Sequence, residues 1–112
     1  MVTPAIATVV LVPFPFSDLS ASKLRPALVI ADSGRGDWIC AQITSNPYAD
    51  AKAIELTDSD FASGGLDRTS YIRPTKLFTA NETLFRRQVA DVNDSLFQDV
   101  VDAVVAVIKG RS

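Results

Sequence analysis

Val9 to Val12 reads VVLV, an apolar run with no polar residue to mark a solvent face. Such a run predicts a strand buried on both faces rather than a half-exposed one. Pro13 and Pro15 follow, and because each lacks a backbone donor they are expected to end regular pairing. Phe14 and Phe16 flank Pro15 and admit two readings: aromatics that plug the end of a small barrel, or a ring that stacks on a base. Asp18 to Leu24 is polar and serine-rich and predicts a loop. Pro26 suits the first position of a second buried strand, Ala27 to Ala31. The glycines of SGRGD, Ser33 to Asp37, predict a hairpin turn into a third strand, Trp38 to Thr44, with Pro47 as its stop.

Ala53 to Leu56 predicts a short fourth strand. Thr57-Asp58-Ser59-Asp60 carries helix N-cap chemistry, and Gly64-Gly65 leaves room for about one helical turn. Further strands are expected at Ser70 to Ile72, with Pro74 allowing a bulge or bend, at Lys76 to Thr79 and at Arg87 to Val92. Asn93 or Asp94 then caps a final helix. In it Leu96, Phe97, Val100, Val101, Val104, Val107 and Ile108 recur at helical spacing, with Asp99 and Asp102 opposite and Gly110 at the end. Short strands followed by one amphipathic helix predict a mainly β fold with α (α+β), a small and strongly curved barrel with the helix packed on it.

Repeats, linkers and low-complexity segments are lacking, so residues 1–112 are expected to form one domain with one core. Cys40, the only cysteine, excludes an internal disulfide and lies in the apolar run WICAQI as a buried, inert thiol. The apolar stretch Ala5 to Phe16 is interrupted by Thr8, Pro13 and Pro15. It is shorter than the ~18 residues a membrane span needs, and no cation precedes it. No membrane association and a cytoplasmic address are therefore expected.

The chain has no histidine, which excludes Ser-His-Asp and Cys-His catalysis and His-ligated zinc. RNA transesterification survives that exclusion, because the substrate's own 2′-OH is the nucleophile and the protein orients it and stabilises charge on phosphorus. The formal charge of −2 is wrong for a strong nonspecific nucleic-acid binder, yet it is unevenly spread. Residues 32–67 hold seven acids against Arg35 and Lys52, whereas residues 68–90 hold Arg68, Arg73, Lys76, Arg86 and Arg87 against Glu82 alone. Seven of the eleven cations are arginine, which suits bidentate phosphate contacts, although a solvated mixed surface is the plainer reading.

Arg25, preceded by Ser22 and Lys23 and fixed by Pro26, sits at a loop-strand junction. There it is either a phosphate clamp or a surface arginine paired with an acid such as Asp18. Thr44 and Ser45 end the third strand. Their hydroxyls are either turn formers or donors to a phosphate oxygen or the 2′-OH. Because an arginine pKa lies above about 12, Arg25 fits electrostatic stabilisation better than general-base work.

The run from Val9 to Ser45, with KLRPALVI and the strand-ending Thr-Ser, closely resembles the start of the MazF/PemK family of toxin endoribonucleases. The resemblance continues through SYIRPTKLFT, Ser70 to Thr79, and the C-terminal helix. It implies an SH3-like barrel and a metal-independent, sequence-selective cleavage of single-stranded RNA to 2′,3′-cyclic phosphate and 5′-OH ends. It also implies no cofactor, a homodimer, and a cognate antitoxin with an acidic segment. Arg25 and Thr44 become the catalytic residues, and Phe16, Ser22, Lys23, Ser45, Arg73 and Lys76 the expected RNA contacts. Family members usually open the first strand with Gly-Asp, where Ala7-Thr8 stands here, and the acid so lost bears on how the site loops are ordered. The loop Ser17 to Leu24 is also short. Two other classes are a gyrase poison on the same barrel and a degenerate module that only binds an antitoxin. The first depends on C-terminal aromatics, which IKGRS lacks; the second has only Ala7-Thr8 in its favour.

Overall fold

The computed structural model describes residues 4–15 and 22–111; Phe16, Asp18 and Ser20 lie outside them, as does the side chain of Ser22. The strands are β1 (Thr8–Pro15), β2 (Ser22–Gly34), β3 (Asp37–Thr44), β4 (Ile54–Leu56), β5 (Phe61–Gly64), β6 (Ser70–Asn81) and β7 (Arg87–Val92), and the helix α1 is Asp94–Ile108. Among the described residues they form one antiparallel sheet in the order β4-β6-β3-β2-β1-β7-β5, wrapped into a half-barrel.

Both faces of the central strands are buried, as the unbroken apolar run predicted. Val9, Leu28 and Ala41 point to one side and join Ile43, Leu56, Ile72, Ala90 and Val92 in a core closed by Leu96 and Val100 of α1. Val10, Val12, Ala27, Val29 and Cys40 point to the other side and are covered by Ala80, Phe85, Phe14, Trp38 and Phe78. Burial pushes the Cys40 thiol up to about 12, so it stays protonated and inert. The Asn93 side chain accepts the Leu96 N–H at 2.9 Å and caps α1. At the far end Gly110, at φ +72°, lets Arg111 N–H reach the Ala106 carbonyl and Gly110 N–H the Val107 carbonyl, a Schellman stop.

Four expectations need correction. Pairing does not end at Pro13: β1 stays in register with β2 to Pro15↔Ser22. The Leu11 carbonyl accepts from Arg86 N–H on the β7 side, so Pro13 and Pro15, which share its parity, turn their missing donors away from β2. For the same reason Ser22 to Leu24 is strand and not loop, and Pro26, opposite Leu11, lies inside β2 and not at its start. The segment after Thr57 is a 3-10 turn, Asp58–Asp60, followed by a strand, β5, that pairs with β7. Finally, the segments at Ser70 and Lys76 are one strand, β6. Its pairs jump from Ile43↔Ile72 to Ala41↔Leu77, so Gln42 alone stands opposite residues 73–76 and Pro74 is absorbed in that bulge.

The hairpin between β2 and β3 is as expected. Arg35 and Gly36 adopt φ +57° and +81°, both positive as a two-residue I′ turn requires.

Candidate active site

The β2–β3 ladder opens at Ala27↔Gln42. Carrying that register outward puts Arg25 opposite Thr44 where the two strands have parted. The same parity sends Lys23 and Arg25 to the side of Ala27 and Val29, Thr44 to the side of Cys40, and Phe14 to the side of Val10 and Val12. These side chains meet at the rim of the second core. There Phe14 packs edge-on against Phe78, with ring centroids 4.8 Å apart and planes at 78°.

The rim opens into a cleft of about 920 Å³. Its walls are Phe14 and Lys23 to Pro26 on one side, Gln42 to Ser45 on the second, and Leu66 to Arg68, Ser70, Arg73 and Lys76 on the third. The structure thus brings together Arg25, Thr44, Ser45, Lys23, Arg73 and Lys76, every expected site residue whose side chain is described. The wall formed by Arg68 was not foreseen. Arg68 arrives from the connection between β5 and β6, whose path no local signal fixes. Phe14, one of the two rings read as a candidate for base stacking, lines the cleft, on the face where alternation from Val10 and Val12 places it. Among the described residues five cations stand there against one carboxylate, Asp67, which makes this part of the cleft electropositive in a chain of net charge −2.

Arg25, Lys23, Lys76 and Ser45 are exposed, and Thr44 is half-buried. The Thr44 oxygen accepts the Asn46 N–H at 3.1 Å, which fixes its rotamer and leaves the hydroxyl hydrogen to be donated. Arg73 behaves differently. Its Nη1 donates to Gln42 Oε1 at 2.9 Å, its Nη2 to the Ala49 carbonyl at 3.1 Å, and its Nε lies 3.6 Å from Asp50 Oδ2. The guanidinium ties the tip of β3 and the following loop to the β6 bulge, so it shapes the cleft from below. Asp50 takes part in the same tie, accepting from the Thr75 hydroxyl and from Lys52 N–H. Burial alone raises its pKa, but those hydrogen bonds, one from the Thr75 N–H and the Arg73 charge together hold it below the usual carboxylate value.

The residues at the family's Gly-Asp positions lie away from the cleft. Ala7 takes φ +67°, a conformation that favours glycine, and its N–H and carbonyl bridge Val29 and Val92. Thr8 is 3 % exposed and donates its hydroxyl to the Ala5 carbonyl at 2.7 Å. Neither lines the cleft. Among the described residues no three His, Cys, Asp or Glu side chains are grouped to hold a metal ion, and no helix is long and apolar enough to cross a membrane.

Comparison with known proteins gives a consistent result. The family described as PemK-like, MazF-like toxin of type II toxin–antitoxin system matches residues 7–108. No curated protein matches the chain by sequence. Among solved structures, a MazE–MazF complex from Deinococcus radiodurans is similar at TM-score 0.75 and 17 % identity over 100 % of both chains. An endoribonuclease in complex with its cognate antitoxin from a mycobacterial species is similar at TM-score 0.73 and 14 % identity over 96 % of each. The Mycobacterium tuberculosis toxin MazF-mt6 is similar at TM-score 0.70 and 16 % identity over 94 % of this chain and 98 % of that one.

Proposed function

The chain belongs to the PemK-like, MazF-like toxins of type II toxin–antitoxin systems, and from that premise we propose that it is a metal-independent endoribonuclease that cuts single-stranded RNA in the Arg25–Thr44 cleft. The observation that carries the reading is the register of the parted strands, which sets a guanidinium opposite a hydroxyl in a cleft rich in cations. In the reaction the 2′-oxygen bonds to phosphorus as the bond to the 5′-oxygen breaks. The 2′-OH gives up its proton and the leaving 5′-oxygen takes one up, so 2′,3′-cyclic phosphate and 5′-OH ends remain. Arg25 opposes the charge that grows on the nonbridging oxygens, and Thr44 donates to one of them. Ser45, Lys23, Lys76 and Arg68 hold the flanking phosphates, while Arg73 keeps Gln42 and the loop after Thr44 in place. Phe16 and Ser22 remain RNA contacts in this reading, on the strength of the family resemblance.

We infer further that the protein acts as a homodimer, since closed two-fold dimers are the commonest homo-oligomers and one small barrel offers little concave surface. Its antitoxin brings an acidic segment that neutralises the cleft cations and blocks RNA entry. Two of the similar structures contain, by their descriptions, a MazE partner or a cognate antitoxin.

Incubation of purified protein with long single-stranded RNA in EDTA tests the activity. Cyclic-phosphate and 5′-OH ends at a recurring sequence are expected. Dependence on magnesium, 5′-phosphate ends or equal cutting of DNA contradicts the mechanism, and intact RNA contradicts the activity.

A further inference from the structure

Tyr48 is 91 % exposed, and the other aromatic side chains among the described residues are buried or half-buried. A single exposed ring is ordinary on a protein surface. The backbone beneath this one is not ordinary. Asn46 Oδ1 accepts the Tyr48 N–H at 2.9 Å, and the Asn46 carbonyl accepts the Ala49 N–H at 3.3 Å. One residue on, Arg73 Nη2 donates to the Ala49 carbonyl at 3.1 Å, and Asp50 is held by Lys52, Thr75 and Arg73. The ring therefore projects from a loop anchored on both sides of it. Both anchors lead to the cleft: Arg73 is one of its walls, and Ser45, three residues before Tyr48, is another.

We propose that Tyr48 is a stacking platform for an unpaired base of the bound RNA, beside the scissile phosphate and outside the Arg25–Thr44 pair. This inference rests on the ribonuclease reading. Cations that follow a phosphate backbone, with an aromatic face alongside, are the combination by which proteins hold single strands. Every base has a π face, so such a platform tolerates sequence. Tyrosine has only two side-chain torsions to order, and here the backbone is already fixed. Tyr48 is thus a substrate-positioning residue. It contributes to binding and touches no reacting atom.

The test uses the RNA segment around a mapped cleavage site, with a 2′-deoxy nucleotide at that site so that it binds uncut. Tyr48→Ala should weaken binding by about 5- to 150-fold, the range of one stacked base, while Tyr48→Phe stays near wild type. On cleavable RNA the alanine variant should raise KM and leave saturating kcat unchanged. Abasic replacement scanned along the RNA should find one position that costs wild-type binding and costs Tyr48→Ala nothing. Unchanged binding in Tyr48→Ala, equal loss in Tyr48→Phe, a fall in kcat alone, or no compensating abasic position overturns the proposal. If wild type cuts RNA while any of these is seen, the platform alone is wrong. If wild type neither binds nor cuts RNA, the ribonuclease reading falls with it.

Discussion

Arg73 Nε stands 3.6 Å from Asp50 Oδ2, and the aspartate side chain is only 3 % exposed. The ion pair joins the β6 bulge to the loop that follows Thr44. Removing one partner of a fully buried pair costs about 3–5 kcal/mol. Arg73 keeps 23 % of its side chain exposed, so about 2 kcal/mol is the better expectation for Asp50→Asn. Because the folded state lowers the Asp50 pKa, its stabilisation is fully present above the unfolded value of about 3.9 and is lost as pH falls through the folded one. Thermal unfolding from pH 7 to pH 2 should show wild type and Asp50→Asn converging below about pH 4. A constant gap across that range contradicts the pairing.

Ala7 occupies the left-handed region at φ +67°, where a Cβ costs about 1–2 kcal/mol. Glycine relieves that strain but gains entropy in the unfolded chain, so Ala7→Gly should stabilise by about 0.5–1 kcal/mol net. For a domain of this size the Tm should rise by about 3–5 °C. Cleavage should be unchanged, since Ala7 lies outside the cleft. A fall in Tm contradicts the strain argument.

Gly64 also has positive φ, +67°, and a Cβ there would sit 2.2 Å from the Val89 carbonyl oxygen and 2.8 Å from Ala90 Cα. Both are backbone of β7, which cannot yield without breaking its ladder with β5. Gly64→Ala should therefore cost about 3 kcal/mol or more, as overpacking against fixed atoms does. Gly65→Ala, whose nearest neighbour is Phe61 at 4.0 Å, is the control and should cost far less. Equal melting temperatures for the two variants would show that β5 does not approach β7 this closely.

Lys23 and Lys76 line the cleft and are exposed, unlike Arg73, whose guanidinium is already engaged by Gln42 and Ala49. Charge reversal at both lysines should weaken RNA and an acidic antitoxin peptide together. For each phosphate no longer neutralised, the slope of log affinity against log salt should flatten by about 0.7 for a single strand. An unchanged salt slope in Lys23→Glu/Lys76→Glu would place the polyanion elsewhere.

The central strands, the hairpin at Arg35-Gly36 and the helix with its Asn93 cap and Gly110 stop were legible, because each rests on a local signal. β5 was not. Its sequence FASG has little strand character, and it is strand because its backbone completes the ladder along β7, with glycine where the two chains nearly touch. The prolines misled for a related reason: whether a missing donor ends a strand depends on which side it faces, and that is set by the neighbouring strands. In the site, Thr44 stands at the strand end where it was expected, whereas Arg25 lies inside β2 and was picked out by the family resemblance of KLRPALVI rather than by its position. Arg68 could not be found, since it enters on an irregular connection. The burial of Arg73 between Gln42, Ala49 and Asp50 depends on a bulge that Pro74 only hinted at.

Single-turnover cleavage of a mapped RNA by Arg25→Ala, with its fold checked by thermal unfolding, tests the central claim most directly. Loss of one preorganised charge-stabilising donor typically costs ~10²–10³ in rate, and Arg25→Ala should lie at or beyond that range with Thr44→Ala somewhat below it. A folded Arg25→Ala that cuts at the wild-type rate would contradict the assignment of the cleft as the active site.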